Sequence, residues 1–330
     1  MFFLGVDGGG TKTDFALISR DGVVLARATE GTSNISQVGV DSVRETLQGG
    51  VCEVCRAAGA TPADIAYGVF GLPGYGESLS HSRALDAMAK DILGHNRYAC
   101  VNDVEVGWAG SLACRPGIHL VAGTGSIGFG RDARGMTARS SGWSEVFGDE
   151  GSAYWLGRKL LGIFSKQADF RLPRSPLYQL LREHFSLDHD LDLIEIVHLR
   201  NDRRFIGQLA KVAYQAALCG DAQAIELYSQ AAFEHHLIVR ALLKQLDLSA
   251  ATRIPVSYSG GVFAAGDLVL GPLKSYLDPL NAHLQKPRLG PVLGACLFAL
   301  DKSGAGWTEG TIHAIEDSWA TQSPIDFPTQ

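Results

Sequence analysis

Three glycines in a row, Gly8, Gly9 and Gly10, follow directly on the apolar run of residues 2–7 and lead into Thr11, Lys12 and Thr13. A glycine run at the end of a strand lets the backbone come closer to a neighbour than side chains would permit. Residues 13–19 and 22–28 continue as short β-forming runs. Arg20, Asp21 and Gly22 join them, and the Asp-Gly step marks a hairpin. The chain therefore opens as a β-meander with a glycine tip. After Arg115, Pro116 and Gly117 the pattern begins again, with a strand over 118–122, the loop Gly123, Thr124, Gly125, Ser126, a strand over 127–131 and another near 135–140. A glycine-tipped meander that occurs twice predicts two related halves.

Neither loop fits a common nucleotide motif. Residues 123–128 read G-x-G-x-x-G, but that fingerprint must open into a helix, and here it runs into Phe129, Gly130 and the turn-rich 131–135. Residues 8–13 lack the Walker spacing and run into a strand. Both loops read instead as strand-glycine-strand hairpins with a hydroxyl at the tip, Thr11 in one and Thr124 with Ser126 in the other. Glycines allow several backbone N–H groups to converge on one oxyanion, and hydroxyls add donors without crowding it. The plainer alternative is two ordinary hairpin turns.

Between the meanders, Val40, Val43, Leu47, Val51, Val54 and Ala58 recur at helical spacing. A strand over 65–72, a helix over 78–93, a strand over 97–101 and a helix from Val104 to Cys114 follow. The second half reads as helix over 152–166, 175–185, 203–219 and 221–246, then a strand over 253–259 and a last helix. At 330 residues the chain exceeds what one core serves, taking about 150 residues per domain. The expected division is 1–116 and 117–289, with helix 290–302 packing back on the first domain and 303–330 an irregular tail.

The formal charge of −6 and the absence of a basic stripe argue against nucleic acid. No stretch approaches the ~20 apolar residues of a spanning helix, and the N-terminus lacks a basic leader, so membrane is excluded as a partner and a cytoplasmic protein is expected. Cys52, Cys55, Cys100, Cys114, Cys219 and Cys296 lie among apolar residues, as suits a reducing compartment. Cys52 and Cys55 read as a packed helix face more readily than as a metal or redox pair. His235 and His236, adjacent on a helix, diverge by ~100° and make a poor chelate.

Carboxylates stand where phosphate chemistry needs them. Asp7, ending the first strand beside the glycines, is placed to position Mg²⁺ through water, or else to bond neighbouring turn amides. Asp103 follows the strand 97–101 and begins a helix, so it is either a ligand-facing acid or a helix-start charge. Asp149 and Glu150 also precede a helix.

In order and spacing, the runs from Asp7 to Thr13, from Gly123 to Ser126 and from Ser259 through Gly260 and Gly261 to Val262 resemble the phosphate-1, phosphate-2 and adenosine motifs of the actin, sugar-kinase and heat-shock-ATPase superfamily. Gly142 and Trp143, followed by GDEGSAYW at 148–155, are similar to the N-acetylglucosamine kinases of the BadF/BadG/BcrA/BcrD ATPase group, over about residues 4 to 300. The resemblance implies an α/β fold of two ribonuclease H-like, actin-like ATPase domains with a cleft between them. It also implies ATP and Mg²⁺ as cofactors, a small sugar as substrate, and a homodimer. Asp103 would be the base that takes the proton from the sugar 6-hydroxyl, and would bind the sugar with Asn34, Ser126, Ile127, Ser141, Gly142, Trp143 and Asp149. Gly9, Gly10, Thr11, Thr124 and Gly125 would address phosphates, and Ala217, Gly260, Gly261 and Ala265 would border the adenosine. The group often has small polar residues where Gly261 and Ala265 stand, which weakens hydrogen bonding there.

The leading expectation is ATP-dependent phosphorylation of N-acetylglucosamine, with Trp143 as an apolar plate for the acetyl methyl. A glucosamine kinase is the nearest alternative. An iron-sulfur ATPase activator would need Cys52 and Cys55 at a dimer axis, and a sugar-sensing repressor would need a DNA-binding extension that is not seen.

Overall fold

The computed structural model describes residues 1–200, 202–248 and 253–321. They form two compact units, Met1–Arg115 with the segment from Lys286 onward, and Pro116–Gln285.

Unit 1 begins with strands β1 (Phe2–Gly8), β2 (Thr13–Ser19) and β3 (Val24–Glu30), helix α1 (Ile35–Ala57), strand β4 (Ile65–Leu72), helix α2 (Leu79–Leu93), strand β5 (Tyr98–Asn102) and helix α3 (Asp103–Ser111). The sheet order is β3-β2-β1-β4-β5; the meander is antiparallel, and β4 and β5 run parallel to β1. Leu4, Val6, Phe15 and Leu17 on one face bury against Val43, Leu47, Val51 and Val54 of α1 and Leu85 and Met88 of α2. Period-2 alternation on the strands meets period-3.6 on the helices, so both faces of the sheet demand cover.

Unit 2 holds β6 (Gly117–Ala122), β7 (Ser126–Arg131), β8 (Thr137–Ser141), α4 (Ala153–Ala168), α5 (Pro176–Phe185), α6 (Asp192–Leu199), α7 (Arg203–Gln208), α8 (Ala210–Leu218), α9 (Ala222–Gln245), β9 (Ile254–Ser259), α10 (Asp267–Leu277) and β10 (Ala282–Gln285). Its sheet order, β10-β9-β6-β7-β8, repeats the first: an antiparallel meander whose first strand pairs in parallel with the later ones. Each glycine loop thus joins strands one and two of its own sheet. Ile118, Leu120 and Val256 of this sheet share a core with Leu156 and Leu160 of α4 and Val239 and Leu242 of α9.

The chain then returns to unit 1 as α11 (Pro291–Lys302) and α12 (Glu309–Thr321). Helix α11 covers the second face of the first sheet so closely that a Cβ on Gly5 would lie 2.5 Å from the Val292 carbonyl and 2.6 Å from the Cys296 amide. Only a glycine in β1 permits that approach.

Several expectations require correction. The tail is not irregular throughout: α12 buries Ile312 and Ile315 completely, Arg27 lies over the Trp319 ring at 4.5 Å, and Glu309 pairs with Arg115 and Arg288. Two apolar residues three apart, in a polar segment, are too weak a period to read from sequence. Residues 322–330 lie outside the described part. The helix read over 203–219 breaks at Leu209, where bonding tightens to Leu209 N–Ile206 O at 3.1 Å. Helix α3 stops at Ser111, because Ala113 and Cys114 turn left-handed with φ of 50° and 55°. Helices α6 and α10 and strand β10 were not expected at all. Among the described residues, no helix is long and apolar enough to cross a membrane.

Candidate active site

In unit 1 the first hairpin pairs Gly8 with Thr13, and Asp7 lies directly across from Asp14. Like charges in register repel. Lys12 relieves one of them, with its ammonium 2.7 Å from Asp14, whose carboxylate also accepts the Thr29 hydroxyl at 2.7 Å. Asp7 keeps the burden: burial first, then the Asp103 and Asp14 carboxylates, push its pKa up to about 8, with Lys12 pulling the other way. Asp103 is thereby placed beside Asp7 electrostatically. It is the first residue of α3, with the Val104 amide donating to its Oδ1 at 2.9 Å. Asn102 acts as the cap, its Oδ1 accepting from the same amide at 3.2 Å while its Nδ2 donates to the Tyr75 carbonyl.

The segment carrying Asn34 is stitched to this hairpin. Thr13 donates to the Gly31 carbonyl and Thr32 to the Gly9 carbonyl, both at 2.8 Å, and the Asn34 amide donates to the Thr32 hydroxyl at 3.1 Å. Asn34 also caps α1, its Oδ1 accepting from the Ser36 amide. Gly10 and Thr11 lie exposed at the tip, with Gly9 half-buried below them.

Unit 2 gathers more. Strand β8 ends at Ser141, and Ile127 of β7 is its register partner. Ser141 and Gly142 both have positive φ, 65° and 71°, and a Cβ on Gly142 would press to 2.9 Å from Ile127. The loop then returns to the second hairpin. The Ser126 amide donates to Asp149 Oδ1 at 3.1 Å and its hydroxyl to the Glu150 carbonyl at 2.6 Å. Asp149 holds a left-handed φ of 56°, a strained conformation kept by surroundings that over-determine it. Ser152 caps α4, whose first amides, Ala153 and Tyr154, donate to the Gly123 and Thr124 carbonyls at 2.9 and 3.4 Å. The helix-start reading of this acidic pair is therefore met by Ser152 instead.

Two residues that sequence reasoning missed complete this half. Arg203, at the start of α7, pairs with Asp149 Oδ2, and its Nη1 is 3.8 Å from Glu145 Oε2. Burial raises the Asp149 pKa, the Ser126 amide and Arg203 oppose that, and Glu145 and Glu150 add to it. His235, buried in α9, sits under Gly151 and against the Phe263 ring at 5.0 Å; burial lowers its pKa to about 4, so it is neutral. No motif points to Arg203, 54 residues from Asp149.

The third motif touches the second hairpin, since Gly260, with φ of 104°, packs on the Ala122 carbonyl and Gly123 amide. Gly261 faces open space, while Ala217 is buried at the end of α8 and Ala265 packs on the same core. His119 Nε2 lies 3.1 Å from the Ser259 hydroxyl, with burial lowering its pKa to about 3. Trp143 is 73% exposed, as are Val146 at 75% and Phe147 at 70%, so the apolar plate expected there stands open to solvent.

Among the described residues no cluster of three or more His, Cys, Asp or Glu could hold a metal. A cation at Asp7 would therefore draw its remaining ligands from water and phosphate, which is how Mg²⁺ is usually held. The crowded carboxylates at Asp7 suit that ion.

The sequence profile of the BadF/BadG/BcrA/BcrD ATPase family matches residues 4–299. The N-acetyl-D-glucosamine kinase of Dictyostelium discoideum is 28% identical over 311 residues, 91% of this chain and 98% of the relative. The N-acetylmuramic acid/N-acetylglucosamine kinase of Clostridium acetobutylicum is 29% identical over 79% of this chain and 85% of its own length. Among solved structures, a candidate N-acetylglucosamine kinase from Chromobacterium violaceum matches with a TM-score of 0.70 at 26% identity, covering 91% of this chain and 98% of that one.

Proposed function

The chain belongs to the BadF/BadG/BcrA/BcrD ATPase family, and on that premise we propose that it is an ATP-dependent amino-sugar kinase that phosphorylates N-acetylglucosamine at its 6-hydroxyl, releasing ADP. Two curated relatives named for N-acetylglucosamine, at 28% and 29% identity, support the acetylated sugar over the glucosamine of a third, the 24% identical glucosamine kinase of Vibrio cholerae. The observation that carries the mechanism is the burial of Asp7, set across from Asp14 in the hairpin and acted on by the Asp103 charge. A carboxylate pushed up to about 8 by burial and by its acidic neighbours is a place prepared for positive charge.

In this reading Asp7 holds Mg²⁺ through water. Bound there, the ion would neutralise charge on the phosphate oxygens during transfer. Asp103 accepts the proton of the 6-hydroxyl as that oxygen attacks the terminal phosphorus of ATP. Gly9, Gly10 and Thr11 in unit 1 and Thr124 and Gly125 in unit 2 offer amides and hydroxyls to phosphate oxygens. Asp149, with Asn34, Ser126, Ser141 and the Gly142 backbone, binds sugar hydroxyls; a carboxylate can accept two of them at once. Gly260, Gly261, Ala217 and Ala265 border the base and ribose.

A coupled assay of ADP release over N-acetylglucosamine, N-acetylmuramic acid, glucosamine and glucose tests this. N-acetylglucosamine should give the highest kcat/KM, and EDTA should abolish turnover. A preference for the unacetylated amine would replace the substrate, and turnover with no sugar dependence would remove the kinase reading.

A further inference from the structure

Arg203 belongs to no motif, yet among the described residues it is the side chain that pairs with the Asp149 carboxylate. We propose that Arg203 is a positioning residue for the sugar: its guanidinium, braced on Gly125 of the phosphate hairpin, holds the Asp149 carboxylate in the orientation that accepts sugar hydroxyls. This rests on the reading of Asp149 as a sugar ligand.

The geometry is specific. The Asp149 side chain is 4% exposed and that of Arg203 is 42%, so a buried carboxylate is reached by an arginine arriving from the solvent side. The Ser126 amide fixes Oδ1 and Arg203 fixes Oδ2, leaving the carboxylate no freedom to rotate. A Cβ on Gly125 would overlap the Arg203 guanidinium and lie 3.0 and 3.1 Å from the two Asp149 oxygens. The glycine that opens the hairpin to phosphate is thus also the floor on which the ion pair rests. Helix α7 is held in turn by α4, where Gly157 lets the Ile206 carbonyl approach. The Arg203 guanidinium in this way adds to the Ser126 bonds that tie the second hairpin to the acidic loop of unit 2.

The charge balance makes the role testable. Glu145 and Glu150 of the loop bear on Asp149, Arg203 and the Ser126 amide oppose them, and His235 beneath Gly151 is neutral. Without Arg203, burial and two acidic neighbours act against one amide, and Asp149 takes up a proton at a higher pH. A protonated carboxyl loses acceptor capacity and binds a sugar diol less well. An arginine that merely stabilised the start of α7 would lower the melting temperature and leave this pH dependence alone.

The test is steady-state kinetics against pH with the full chain, N-acetylglucosamine and ATP, for wild type, Arg203→Met, Arg203→Lys, Gly125→Ala, the Arg203→Met/Gly125→Ala double variant and Asp149→Asn. Arg203→Met should raise the sugar KM about tenfold or more, leave the ATP KM within about twofold, and move the acid limb of kcat/KM for sugar to higher pH. Arg203→Lys should restore the acid limb but only part of the KM, because lysine lacks the planar fork. Gly125→Ala, beside any change in the ATP KM that its place on the phosphate hairpin brings, should raise the sugar KM and add little to it in the Arg203→Met background, since both act on the sugar through one contact. If Asp149→Asn raises the sugar KM while Arg203→Met changes neither KM nor acid limb, the positioning role is wrong and the sugar site stands. If Asp149→Asn leaves the sugar KM unchanged, the sugar site itself falls and the proposal with it. Should Arg203→Met not fold, Arg203→Lys and Gly125→Ala decide: normal sugar KM in both overturns the proposal.

Discussion

The two hairpins occupy the same place in two sheets of the same order, and they have been put to different uses. The first, between Asp7 and Asp14, is open at its tip, and among the described residues Lys12 is the cation that opposes its crowded carboxylates. The second is closed over by protein: α4 donates to its carbonyls, Ser126 is tied to the acidic loop, and Asp149 already has Arg203. One topology therefore supplies both a hairpin of crowded carboxylates and a hairpin beside which the carboxylate already has its guanidinium. The difference lies in what packs on each hairpin rather than in the hairpins themselves. In the proposed kinase the general base, Asp103, belongs to unit 1, and the buried sugar ligand, Asp149, to unit 2.

The largest effect that division predicts is at Asp103. Asp103→Asn should lower kcat by about 10²–10⁴-fold, the usual worth of a general base, with both KM values near wild type. A variant that turned over normally would break the assignment of the chemistry to unit 1.

Next comes the backbone of unit 2. Gly260→Ala puts a Cβ into the Ala122 carbonyl at a φ of 104° and should destabilise the protein by about 3 kcal/mol, combining backbone strain with overpacking. Urea unfolding measures this, and a shift below ~1 kcal/mol would mean that the third motif does not rest on the second hairpin as described.

The units also carry opposite pH signatures. Asp7, raised from 3.8 to about 8, disfavours its charged form, so its contribution to unit 1 is full below pH 3.8 and is lost as pH rises through about 8. His119 and His235, lowered from 6.5 to about 3 and about 4, favour the neutral form, so their contribution to unit 2 is full above pH 6.5 and fades as pH falls. Near pH 5 each histidine should have withdrawn about 2 kcal/mol from unit 2, because the unfolded chain binds a proton that the folded one refuses. Hydrogen exchange without metal should show unit 2 loosening first on acidification, and His119→Asn should flatten its response. Equal loosening of both units would contradict the contrast.

The smallest effect sharpens the comparison from the other side. A Cβ on Gly10 would meet only the flexible end of Gln37, at 3.3 Å. Gly10→Ala should leave stability within about 0.5 kcal/mol of wild type, while any rise in the ATP KM would report phosphate binding at the open tip.

Much of this architecture was legible in the chain before any coordinates. The glycine-tipped meanders, the refusal of the Rossmann and Walker readings, and the helices α2, α4 and α9 rest on local periodicity and turn chemistry, which act over a few residues. Asp7, Asp103 and Asp149 could be singled out because strand ends and helix starts are local features too. How far Trp143 is covered could not be read, because that depends on neighbours brought by other segments, and here the residue is largely exposed. The same holds for α12, whose order comes from burying Ile312 and Ile315 and pairing Glu309 with arginines at 115 and 288. Arg203 is the clearest case. Its position in sequence marks it only as a charge beginning the helix read over 203–219. It reaches Asp149 because α7 packs on α4 and Gly125 leaves room for a guanidinium. Sequence by itself determined the duplicated sheets and the kinds of group at their loops, through short-range patterning; tertiary structure alone decided which of those groups meet, because long-range contacts depend on how whole elements pack.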